Sequence, residues 1–207
     1  MNSIRSFIKK NPIVTFAFLT YLLSWWSVPF ADGRLIPYGP ALAAVIVLAS
    51  TAGRKDLGNL WRRVTHWRVA WYWYLIGPGI IAGCQSVAFV LNVLLGATVK
   101  SYPALPSMGT IITLLLLGGL WEEPGWTGYV LPRLQERFAN LSKGALLAAL
   151  VTGVFRAIWH LPLYIYGHIP WFDVVVFEIA LQLIIAWLFN RSGGSVLIVM
   201  LFHLASN

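Results

Sequence analysis

The stretch GALLAALVTGVFRAIWHLPLYIY, residues 144–166, is a mostly apolar run that contains one Arg and one His. A helix needs about 20 such residues to cross the hydrocarbon core of a bilayer. Six other segments come close to this length and composition. With this run, the expected spans are 13–31, 36–53, 70–98, 107–123, 144–166, 171–190 and 194–207. The sequence therefore predicts an all-α, polytopic transmembrane helical bundle of about seven spans.

The composition excludes the common soluble classes. Hydrophobic residues make up 58% of the 207 residues and charged residues only 11%, whereas about a quarter of a soluble domain is charged. Cys84 is the single cysteine, which excludes a disulfide framework and a multi-cysteine zinc site. The net charge of +8 does not indicate a nucleic-acid partner, because the basic residues lie between the apolar runs and not along one stripe. Membrane lipids are the expected surroundings.

The basic residues also predict an orientation. Twelve of the fifteen fall in the N-terminal segment and in alternate connections, while the opposite connections carry only Arg34 and Lys100. Because positive charge collects on the cytoplasmic side, we expect a cytoplasmic N-terminus. The first apolar segment lacks a small-residue cleavage site, so it is interpreted as a retained span and not as a signal peptide. The expected protein is a single multi-pass domain (1–207) in the plasma membrane of a prokaryote, with N-terminal helices (1–106) and a core (107–207) that carries the sequence motifs.

Ionisable side chains within spans are costly and usually mark function. Glu122 and Glu123 end the fourth expected span, where Pro124 and Gly125 should bend or break the helix. The alternative for this pair is an interfacial position wetted by lipid headgroups. The candidates in the later spans are Arg156, His160, Glu178, His203 and Asn207.

Arg156 lies one helical turn before His160 and requires a counter-charge, which Glu122, Glu123 or Glu178 can supply. His160 alone is equally well explained as a hydrogen-bonded interior histidine. His203 and Asn207 are four residues apart and share a helix face, where they could bind a metal or donate hydrogen bonds to an oxyanion.

Several catalytic motifs are absent from the sequence. There is no HExxH helix, no GxSxG turn, no P-loop and no pair of intramembrane aspartates. Activation of water by a carboxylate and a histidine is the chemistry that remains.

Three segments resemble the motifs of the CAAX-protease and bacteriocin-processing family of intramembrane endopeptidases, which includes the type II CAAX prenyl endopeptidase. They are WEEPGWTGYVLPRLQ (121–135), WHLPLY (159–164) and HLASN (203–207). The resemblance implies an endopeptidase that hydrolyses a peptide bond of a membrane-associated or prenylated protein.

The resemblance also implies a role for each matching residue. Glu122 is similar to the glutamate that activates the attacking water, Glu123 to its paired carboxylate and His160 to the histidine that assists Glu122. His203 and Asn207 are similar to the pair that stabilises the oxyanion. No cofactor is required in this scheme. The alternative is a zinc ion held by Glu122, His160 and His203, as in a metalloprotease.

The sequence departs from the family pattern at two positions. Thr127 stands where the EExxxR motif has arginine, and Arg156 stands where an aromatic residue precedes the histidine by four positions. We hypothesise that Arg156 replaces the missing guanidinium and pairs with Glu123. A decayed, inactive site is the alternative. The chain also stops at Asn207, within the third motif, which favours a piece of a longer protein.

Two other functions remain open at this stage. One is a non-enzymatic bacteriocin self-immunity or membrane scaffold protein on the same fold, which the Thr127 departure favours. The other is a small transporter using Glu178 and Arg156, which predicts an internal repeat that the sequence lacks.

Overall fold

The computed structural model describes residues 2–51, 53–98, 106–117 and 119–206, and over these ranges it consists of helices and turns without a strand. The prediction of an all-α membrane protein is confirmed. The helices are α1 (Asn2–Lys10), α2 (Pro12–Trp25), α3 (Gly39–Thr51), α4 (Arg54–Val64), α5 (Trp73–Leu94), α6 (Met108–Leu117), α7 (Glu123–Gly125), α8 (Leu131–Arg137), α9 (Gly144–Ile165), α10 (Glu178–Arg191) and α11 (Val196–Ser206). A 3₁₀ turn (Gly119–Glu122) and two π-helical turns (Trp126–Val130 and Asp173–Phe177) complete them.

Within the described residues, three helical segments are long and apolar enough to cross a membrane: Trp73–Leu94, Gly144–Ile165 and Asp173–Arg191. Three shorter apolar helices are Pro12–Trp25, Gly39–Thr51 and Val196–Ser206. These six helices lie within segments that the sequence predicts to span the membrane. Two of them extend one residue beyond the predicted span, at Pro12 and at Arg191. The number of spans and the side of the N-terminus stay predictions.

One sequence-based expectation about local structure is wrong. The basic connection after the second apolar segment is not a loop, because residues 54–64 form helix α4. Its Leu60 is buried while Trp61 and Arg62 are exposed, which is typical of an amphipathic helix at a membrane surface. Helix α5 continues through Pro78 from Trp73 to Leu94.

The segment that carries Glu122 and Glu123 is the centre of the fold. We expected Pro124 and Gly125 to bend or break this helix. Instead the chain stays helical from Gly119 to Arg137 and changes only the type of turn. A proline is tolerated in the first turn of an α-helix, because its missing N–H would have no partner there. The segment is buried, and Phe16 of α2 contacts both the Trp126 ring (5.3 Å) and the Tyr129 ring (5.1 Å).

Close packing at Gly125 fixes the position of this segment against α3. A Cβ added at Gly125 would lie 2.4 Å from the carbonyl oxygen of Pro40. We therefore expect Gly125→Ala to lower the stability by about 1–3 kcal/mol, as overpacking does. The measurement is the Tm of the protein in detergent. Gly79→Ala in α5 is the matched control, because an added Cβ there meets no atom within 4 Å. Equal Tm values for the two variants would contradict the packing argument.

Candidate active site

Arg156 is the centre of a buried cluster of charged side chains. Its guanidinium is fully buried and contacts three carboxylates from two other helical segments. Nη1 lies 2.6 Å from Glu123 Oε1, Nε lies 3.3 Å from Glu178 Oε2, and Nη2 lies 3.5 Å from Glu122 Oε2. Buried charges require partners of opposite sign. The cluster therefore explains how an arginine is accommodated within the helix α9.

Glu123 is held on both carboxylate oxygens. Oε1 accepts hydrogen bonds from Arg156 Nη1 at 2.6 Å and from His203 Nδ1 at 2.7 Å. Oε2 accepts a bond of 2.5 Å from the Thr127 hydroxyl. The ion pair between Arg156 and Glu123 that the sequence predicts is thus present. Thr127, which stands in place of the motif arginine, binds the same carboxylate as Arg156. Because both oxygens are occupied, Glu123 is fixed in orientation.

Glu122 differs from Glu123 in its surroundings. Its Oε2 is buried and has no hydrogen-bond partner among the described residues, and the same is true of Arg156 Nη2, 3.5 Å away. Glu122 keeps 4% of its surface exposed, whereas Glu123 keeps none. A buried polar atom without a partner is costly and marks a place where a ligand or water is expected to bind. Of the two adjacent glutamates, Glu122 is therefore the one whose carboxylate has an oxygen left to bind a ligand or water.

His160 lies against Glu178 and not against Glu122. Its Nδ1–H donates to the Arg156 carbonyl at 3.0 Å, and its Nε2 lies 3.5 Å from Glu178 Oε1. The bond to the preceding turn fixes the ring orientation, so that Nε2 faces the carboxylate cluster. Glu178 consequently contacts both Arg156 and His160.

The contact between α9 and α10 brings Arg156 to Glu178. A Cβ added at Gly153 would lie 3.1 Å from the Cα of Ile179, so the glycine allows the two helices to approach closely. Arg156 follows Gly153 by three residues and Glu178 precedes Ile179 by one. The two side chains therefore meet just beyond the point of closest approach. In the sequence, Glu178 is a candidate counter-charge of Arg156, and the structure shows that contact.

The predicted zinc ligands do not form a metal site. No three His, Cys, Asp or Glu side chains are grouped to hold a metal ion in the part of the chain that the structure describes. His203 is bound through Nδ1 to Glu123, and His160 lies against Glu178. Glu122, His160 and His203 are therefore not grouped as metal ligands in this arrangement, and the zinc alternative stays a prediction.

Four of the five predicted catalytic residues belong to one cluster around Arg156: Glu122, Glu123, His160 and His203. Asn207, the fifth, lies outside the described residues. The contacts do not test the catalytic roles, which stay predictions.

The fold and the cluster define a helical membrane protein with glutamate, histidine and arginine side chains buried among its helices. The model of the family described as type II CAAX prenyl endopeptidase Rce1-like matches residues 103–207. The chain belongs to this family, and the resemblance seen in the sequence is confirmed.

The chain is similar to a protein named CAAX prenyl protease 2 from Methanococcus maripaludis, with 28% identity over 108 residues. This match covers 47% of the chain and 38% of the relative. No solved structure matches the chain.

Proposed function

We propose that this protein is an intramembrane endopeptidase that hydrolyses a peptide bond of a prenylated, CAAX-type protein or peptide. The family and the name of the archaeal relative support the substrate class. The observation that carries the proposal is the difference between the two adjacent glutamates. Glu123 is bound on both oxygens, while Glu122 Oε2 has no hydrogen-bond partner within the described segments.

In the proposed reaction, Glu122 accepts a proton from a water molecule as the water oxygen attacks the carbonyl carbon of the scissile bond. The tetrahedral intermediate carries its negative charge on the former carbonyl oxygen, where His203 and Asn207 donate hydrogen bonds. The C–N bond then breaks, and Glu122 returns the proton to the leaving amine. One water is consumed and no covalent enzyme intermediate forms.

The remaining residues of the cluster hold the reacting groups in place. Arg156 binds Glu123 and Glu178 and lies against Glu122, so that three negative charges are tolerated around one guanidinium. Glu123 in turn orients His203 through the 2.7 Å bond to Nδ1. His160, which lies against Glu178, assists Glu122 in activating the water. The mechanism is of the glutamic type and requires no metal.

The protein acts in the plasma membrane of a prokaryote, as a multi-pass protein with its N-terminus in the cytoplasm.

The test is a cleavage assay with the purified protein in liposomes. A peptide ending in a prenylated CAAX sequence is compared with the same peptide lacking the prenyl group, and product masses identify the broken bond. We expect cleavage of the prenylated peptide and much slower cleavage of the other. Equal rates would overturn the prenyl specificity. Absence of cleavage of these peptides and of a membrane-peptide library would overturn the endopeptidase function and favour the immunity or scaffold protein.

A further inference from the structure

The carbonyl of Gly128 lacks the partner that it would have in an α-helix. In an α-helix this oxygen would accept a bond from the N–H of the residue four positions later. That residue is Pro132, which has no N–H. Gly128 is buried within the π-helical turn Trp126–Val130, where its carbonyl cannot be left without a partner at low cost.

Arg63 of α4 supplies the missing hydrogen bond. Its Nη1 donates to the Gly128 carbonyl at 2.9 Å, across 65 positions of sequence. Leu60, one turn earlier on α4, packs on the same glycine, since a Cβ added at Gly128 would lie 2.7 Å from Leu60 Cδ1. Helix α4 therefore contacts the π-helical turn through one apolar and one charged side chain.

The same turn carries a hydroxyl that binds the catalytic cluster. Thr127 immediately precedes Gly128, and its side chain donates the 2.5 Å bond to Glu123 Oε2. A second arginine, Arg133, bonds the next carbonyl, that of Tyr129, at 3.1 Å. That bond is made within one helical segment. Of these two hydrogen bonds, only the bond from Arg63 connects the turn to a separate helix.

We propose that Arg63 is a positioning residue, which holds the π-helical turn so that Thr127 and Arg156 together fix Glu123 beside Glu122. It acts from the amphipathic helix α4 and touches neither the substrate nor the reacting atoms. Its effect on catalysis rests on the proposed endopeptidase function.

The first test compares Arg63→Ala with Arg62→Ala. Arg62 is the matched control, because it is exposed and, among the described residues, its side chain bonds Asn59 of its own helix and nothing outside that helix. We expect Arg63→Ala to lower kcat about tenfold, as loss of a charge-assisted hydrogen bond does, with KM unchanged. Arg62→Ala should leave both constants unchanged. Equal kcat values for the two variants would overturn the proposal.

The second test uses Pro132→Ala as a suppressor. Alanine at this position restores an N–H four residues after Gly128, which gives the carbonyl a partner within its own helix. In the Pro132→Ala background, Arg63→Ala should therefore lower kcat by less than twofold. If Arg63→Ala lowers kcat by the same factor with and without Pro132→Ala, Arg63 does not act through the Gly128 carbonyl, and the proposal fails.

The third test does not depend on activity. Amide hydrogen exchange over residues 126–131 should be faster in Arg63→Ala than in the wild type and unchanged in Arg62→Ala. Faster exchange without a fall in kcat would overturn the positioning role.

If the wild type cleaves nothing, the proposed function fails, and the exchange comparison still decides whether Arg63 holds the turn. If Arg63→Ala does not fold, Arg63→Lys takes its place, because lysine keeps a hydrogen-bond donor. Arg63→Lys should retain more than half of the wild-type kcat. A kcat of Arg63→Lys as low as that of an inactive variant would overturn the proposal.

Discussion

Replacing Arg156 with alanine should abolish cleavage and strongly lower the stability of the fold. The substitution leaves Glu122, Glu123 and Glu178 buried without the guanidinium that contacts all three. Removing one partner of a buried ion pair costs about 3–5 kcal/mol. We expect a loss of several degrees in Tm, measured in detergent, together with loss of cleavage.

Arg156→Lys and Arg137→Ala are the controls for this effect. Lysine keeps the positive charge but lacks the planar, five-donor fork, so it cannot contact three carboxylates at once. Its activity should fall between those of the wild type and the alanine variant. Arg137 is exposed on α8, and its removal should change neither Tm nor rate. Wild-type cleavage by Arg156→Ala would contradict the role given to this arginine.

The double variant Thr127→Arg with Arg156→Phe tests whether Arg156 replaces the arginine of the EExxxR motif. The double variant has arginine at position 127 and an aromatic residue at position 156, as the family pattern does. We expect Arg156→Phe alone to be inactive and the double variant to recover part of the cleavage rate. An inactive double variant that keeps the wild-type Tm would contradict the relocation.

Glu122→Gln should lower kcat by about 10²–10⁴-fold, the range for removal of a general base. Glutamine has nearly the same shape as glutamate, and the Glu122 carboxylate lies 3.5 Å from the Arg156 guanidinium, a longer contact than that of Glu123. The Tm should therefore remain near that of the wild type. Glu136→Gln, at an exposed glutamate of α8, should cleave at the wild-type rate. A Glu122→Gln protein that retains more than half of kcat would remove Glu122 from the mechanism.

Much of the architecture follows from the sequence, because bilayer thickness sets the length of an apolar helix. Helix α9 covers 144–165 where the sequence predicts a span over 144–166. The pairing of Arg156 with Glu123 was also predictable, since a cation within a span requires a counter-charge. That argument left three carboxylates open, and the structure places all three around the guanidinium.

The features that sequence reasoning missed depend on contacts between distant segments. Helix α4 has too few apolar residues to resemble a span, and its Leu60 and Arg63 find their partner at Gly128 only in the folded chain. The π-helical turn at Trp126–Val130 has no local sequence signature that separates it from an α-helix. The position of His160 beside Glu178 depends on how α9 and α10 are rotated, which apolar periodicity does not determine in helices that are apolar on all sides.

The most direct test of the proposed mechanism is the cleavage rate of the wild-type protein after treatment with a chelator, with the metal content of the protein measured before and after. If Glu122 activates the water, the metal-free protein should cleave at an unchanged rate, and Glu122→Gln should lose cleavage. Loss of cleavage on metal removal, with recovery on addition of zinc, would contradict the proposed mechanism.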